Sequence, residues 1–151
     1  MNLEKEFLPY EQALELKELG FDEPCFGDWN YNNGEINYWY DEEIQNERTN
    51  KWFLNLEEQF PKMNKNGCTA PTFSQAFRWF RENHNWQNSI DPTADQHSRQ
   101  LGYNYWIWNY KTGEEYHTMP KNRPAGDWEY KTYEEAELAC LNKLIEITKT
   151  K

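Results

Sequence analysis

The stretch Tyr103-Asn104-Tyr105-Trp106-Ile107-Trp108-Asn109-Tyr110, followed by Lys111-Thr112-Gly113 and then Glu114-Glu115-Tyr116-His117-Thr118, decides the fold class. Aromatic and β-branched side chains favour the extended, half-buried surface of a strand, and Lys111-Thr112-Gly113 supplies the turn, so the stretch reads as a β-hairpin. Odd and even positions of the long strand are both aromatic, so both faces of its sheet need cover. A helical layer can satisfy one face. The other is left to a ligand, a partner or a second layer.

Outward from this hairpin, helical spacing recurs three times. Ala13, Leu14, Leu16 and Leu19 form an apolar stripe that Gly20 stops, with Pro9 tolerated near the start because an early helical N–H has no partner in the helix. Thr72 and Gln75 have capping-box spacing ahead of Phe73, Ala76, Phe77 and Phe80, which predicts a helix ending near Asn83 or His84. Thr132 and Glu135 repeat that spacing ahead of Ala136, Ala139, Cys140, Leu144 and Ile147. Residues 25–29 and 35–40 are β-prone runs on either side of Asn33-Gly34, a strong hairpin signal because both residues accept positive φ. Ile36, Tyr38 and Tyr40 share one face of the second run. Residues 91–102 read as a polar connection, residues 62–67 as a loop, and Trp52-Phe53-Leu54-Asn55-Leu56 as either a strand or a helical turn. The expected fold is α+β: residues 1–151 as a single domain, three helices packed on a mostly antiparallel sheet built from two β-hairpins, with the 103–110 strand central.

Composition narrows the functional classes. Mean hydropathy is low at −1.16, but 8 Trp, 10 Tyr and 8 Phe supply enough apolar area for a core. Sixteen Lys and Arg against 26 Asp and Glu give a net charge of −10, which repels a polyanion, so duplex nucleic acid is not an expected partner. No run approaches the ~20 apolar residues that span a bilayer, and the N-terminal residues do not follow a signal-peptide pattern, so neither membrane nor leader is expected. Three cysteines without metal or disulfide spacing fit a reducing cytoplasm, with Cys25 and Cys140 as core residues and Cys68 open. His84, His97 and His117 are dispersed, and phosphate loops and nucleophile motifs are absent, so no metal, cofactor or catalytic residue is expected. An enzyme remains the third reading, through carboxylate pairs such as Glu42/Glu43 and Glu114/Glu115.

Three blocks carry a resemblance: residues 9–26 (PYEQALELKELGFDEPCF), 70–81 (APTFSQAFRWFR) and 131–141 (KTYEEAELACL). Together they resemble a group of short, uncharacterised proteins encoded by phages and prophages of Bacteroidetes-type bacteria. The resemblance implies an accessory protein acting in the cytoplasm of a bacterial host cell, where such proteins counter host defence by sequestering a nucleotide signal or occupying a host protein. It transfers no site residue.

Aromatics interleaved with cations give the candidate site. Trp79, Trp106 and Trp108 can stack on a base, and Arg78, Arg81 and Arg123 can hold a phosphate, which suits sequestration of a small nucleotide-like ligand without catalysis. Packing of the same rings in the core is the competing reading. The alternative function is an acidic inhibitor that binds a host protein through exposed Trp and Tyr with a carboxylate rim. A pocket would bring Arg beside Trp, whereas an inhibitor surface would leave aromatics exposed. An uncovered aromatic face also fits a homodimer.

Overall fold

The computed structural model describes residues 3–23, 25–29, 35–38, 68–94, 99–118 and 127–150. The expectations placed on the Asn33-Gly34 turn, on Tyr40, on Trp52 to Leu56, on residues 62–67, on His97 and on Arg123 lie outside these residues. The chain is α+β, with three α-helices and two three-stranded antiparallel sheets among the described residues. Its contacts group into two compact units, Met1–Thr72 and Phe73–Lys151.

In the first unit a 3-10 turn at Leu3–Glu6 leads into α1 (Tyr10–Glu18). Gly20, at φ 97°, ends that helix in a Schellman motif. Its N–H donates to the Lys17 carbonyl and the Phe21 N–H to the Leu16 carbonyl, both at 3.0 Å. Leu16 and Phe21, joined by that bond, are both buried. β1 (Gly27–Trp29) pairs on one side with β2 (Ile36–Tyr38), as the first hairpin requires, and on the other with β3 (Cys68–Thr69). Among the described residues, Phe7, Leu8, Ala13, Cys25, Cys68 and Ala70 are also buried in this unit.

The second unit contains α2 (Phe73–His84), β4 (Trp86–Ala94), β5 (Leu101–Asn109), β6 (Glu115–His117) and α3 (Tyr133–Lys149). Asn85 follows α2 at φ 61°, a left-handed position that Asn accepts more readily than most residues, and turns the chain into β4. Sheet order is β4-β5-β6, so the aromatic strand is central to its own sheet, and the two hairpins belong to separate sheets. The second hairpin closes through Asn109, whose side-chain oxygen accepts from the Lys111 and Thr112 N–H groups, and through Gly113 at φ 75°. α3 starts on the full capping box. The Glu135 N–H donates to the Thr132 hydroxyl at 3.2 Å, and the Thr132 N–H to the Glu135 carboxylate at 3.3 Å.

One expectation needs correction. Residues 91–94 and 101–102 belong to strands, because β4 runs in register with β5 over nine residue pairs from Trp86↔Asn109 to Ala94↔Leu101. Gln87, Asn88, Ser89, Asp91 and Pro92 have weak strand preference, and ladder pairing with β5 overrides it. Pro92 is accommodated by its register. The N–H and carbonyl of its partner Tyr103 both bond Tyr130, on the far side of β5. Pro92 therefore occupies a non-hydrogen-bonded pair, and its missing donor falls on the outer edge of the sheet.

A candidate binding face on the central sheet

Strand alternation sorts β5 into two sets. Tyr103, Tyr105, Ile107 and Asn109 point toward the helices. Tyr103 meets Tyr133 of α3 edge-on at 6.0 Å, Ile107 is fully buried, and the Asn109 amide donates to the His84 carbonyl of α2 at 3.2 Å. Tyr116 of β6, opposite Ile107, lies on the same side, with the Lys143 ammonium of α3 5.2 Å from its ring centre. Gly102, Asn104, Trp106 and Trp108 point the other way.

On that second face Trp106 is 43% exposed and Trp108 half-buried, their ring centres 5.3 Å apart and their planes inclined at 48°. Register surrounds them with polar groups. Gln87 and Glu115 flank Trp108, and Ser89 and His117 flank Trp106. Asp91, opposite Asn104, takes the next row, and its carboxylate accepts from the Ser89 hydroxyl at 3.0 Å. Asp91, Glu115 and His117 are exposed.

The end of the face beyond Asn104 is closed by residues 127–130. Asn104, 3% exposed, holds them in place. Its amide nitrogen donates to the Thr93 hydroxyl at 3.2 Å and to the Asp127 carbonyl at 3.1 Å, while its oxygen accepts from the Thr118 hydroxyl at 3.1 Å and the Glu129 N–H at 3.2 Å. All four hydrogen-bonding positions of the amide are used, so a buried polar residue costs little here. The Trp128 indole packs directly on Gly102, which leaves no room for a side chain at that position.

The residues expected to form a nucleotide site are dispersed. Trp79 is 4% exposed, with Phe80 and His84 packed edge-on against it at 5.1 and 4.7 Å. It is a core residue, because the buried stripe of α2 is wide enough to take in Ala76, Phe77, Trp79 and Phe80 together. Arg78 and Arg81 are exposed on α2, on the helical side of the sheet, while Trp106 and Trp108 occupy its opposite face. Arg123 lies outside the described residues. Glu115 and His117 were within reach of sequence reasoning, since the hairpin turn sets them beside Trp108 and Trp106. Ser89 and Asp91 carry no such signal, because most residues of β4 have weak strand preference of their own.

Away from this face, burial perturbs the three cysteines and the half-buried His84. Burial pushes the Cys25 and Cys68 thiols up to about 11 and the Cys140 thiol higher still, which keeps all three as thiols at neutral pH. Burial lowers the His84 pKa, and its Nε2 is enclosed without a hydrogen-bond partner among the described residues. Among the described residues no three His, Cys, Asp or Glu side chains gather to hold a metal ion, and no helix is long and apolar enough to cross a membrane. Comparison with protein-family models, curated proteins and solved structures gives no match to this chain.

Proposed function

We propose that this chain is a non-enzymatic binding protein that takes a protein partner on the Trp106/Trp108 face of its β4-β5-β6 sheet. The observation that carries this reading is the exposed Trp106 indole set against the half-buried Trp108 on the central strand, bordered by Asp91, Glu115 and His117. Exposed Trp is among the residues that contribute most to protein–protein affinity, because a large rigid surface leaves water at small entropic cost. Carboxylates at the border steer encounter and select the partner.

Capture of a nucleotide is less well supported. Arg78 and Arg81 lie across the sheet from the exposed rings, and the flanking carboxylates of Asp91 and Glu115 repel phosphate. The resemblance to phage-encoded proteins adds a setting in which the partner is a bacterial host factor occupied by the bound chain.

The test places a photo-crosslinking side chain at His117 and expresses the chain in bacteria. A discrete conjugate of protein mass, absent when Trp108→Ala is added, supports the reading. Stabilisation by a nucleotide that survives Arg78→Ala and is lost in Trp106→Ala, with no protein conjugate, overturns it.

A further inference from the structure

On the basis of that reading, we infer that the group this face receives from its partner is a basic side chain, arginine above all, stacked on the Trp106/Trp108 pair and paired with Asp91 or Glu115. The register makes a small grid of the face. Gln87, Trp108 and Glu115 form one row, and Ser89, Trp106 and His117 the next. Asp91 and Asn104 begin the third. Directly opposed side chains in such a grid stand ~5 Å apart and diagonal ones ~7 Å. The carboxylates of Asp91 and Glu115 therefore sit at diagonal corners around the two indoles.

Three properties of this grid select a cation. The face of an indole carries negative quadrupole charge and attracts a guanidinium or ammonium within ~6 Å of its centre, and Trp is the best of the aromatic rings at this. Arginine adds a planar fork that stacks on a ring while donating to a carboxylate beside it, which lysine cannot do. Asp91 is already oriented by the Ser89 hydroxyl, so little side-chain freedom is lost when a guanidinium arrives. The strand positions of this face hold no Lys or Arg among the described residues, and the net charge of −10 draws a basic segment toward it from a distance.

The probe is a synthetic Gly-Arg repeat peptide, with an otherwise identical peptide carrying citrulline, the uncharged isostere of arginine, as its control. Binding is read from the Trp106 and Trp108 indole N–H signals by NMR, each signal assigned by its loss in Trp106→Phe or Trp108→Phe. The arginine peptide should move both signals and the citrulline peptide neither. Glu115→Gln and Asp91→Asn should each weaken binding about fivefold, and Trp106→Ala, which leaves the charge unchanged, about tenfold or more. Preservation of all other signals shows that these surface variants still fold. Equal binding of the arginine peptide to wild type and to Trp106→Ala would mean general attraction to an acidic chain and overturn the inference. If the citrulline peptide binds the same two signals equally well, recognition of a cation is wrong while protein binding stands. If a mononucleotide moves both signals and neither peptide does, the inference and the proposed function fall together.

Discussion

A Cβ atom on Gly102 would clash with Cγ and Cδ2 of the Trp128 indole. The two residues are in direct contact where the 127–130 segment crosses the end of the β5 face, a closeness that only glycine permits. Gly102→Ala must displace either a strand or a tryptophan, and overpacking of this kind costs about 1–3 kcal/mol or more. Urea unfolding should show that loss. Combining it with Trp128→Ala should recover part of it, because the ring that causes the conflict is then gone.

Asn104 fastens the same segment. Asn104→Ala would leave the Asp127 carbonyl and the Glu129 N–H without their present partner, a cost of about 3 kcal/mol if water does not reach them. Asn104→Asp is the sharper variant. It places a carboxylate oxygen where an amide now donates to the Asp127 carbonyl, so it should be more destabilising at pH 7 than at pH 4. Chemical denaturation at the two values, against wild type, measures the difference.

Trp79 and Trp106 should behave in opposite ways. Trp79→Ala empties a core position and should cost about 3–5 kcal/mol. Trp106→Ala removes a ring that is 43% exposed, so its stability change should be much smaller. Thermal unfolding of the two variants checks this. Equal losses would mean that the Trp106 face is covered in the native protein.

His84 predicts a direction with pH. Burial holds its folded-state pKa below the ordinary 6.5, so the folded chain keeps the ring neutral where the unfolded chain has begun to bind a proton. The stability this gives is fully present above about 6.5 and is lost progressively as the pH falls from there to the lowered folded value. His84→Gln should flatten this part of the profile, visible as a smaller difference between urea midpoints at pH 7 and pH 5.5.

Local chemistry made much of the fold legible. Gly20 as a helix stop, Thr132 with Glu135 as a helix start, and Lys111-Thr112-Gly113 as a turn each depend on neighbours in the chain, and each forms as that chemistry requires. β4 was hidden because Gln87, Asn88, Ser89, Asp91 and Pro92 become a strand only through pairing with a sequence that lies later in the chain. The candidate site divided along the same line. The Trp106/Trp108 pair follows from alternation within one strand, whereas grouping Arg78, Trp79 and Arg81 with it assumed that neighbours in sequence share a layer. Helix geometry turns Trp79 inward from both arginines, and a sheet then stands between the arginines and the exposed rings.

Pro92 bears on how copies of this chain avoid one another. Among the described residues β4 is an edge strand, and an unbroken row of outward N–H groups along it would serve as a template for another extended chain. The pyrrolidine ring deletes one donor from that row and projects into the space an incoming strand would fill. A Pro92→Thr chain would keep the register and restore the row. The safeguard lost is colloidal: on standing at high concentration, such a chain would be the one to form oligomers that bind fibril-specific dyes.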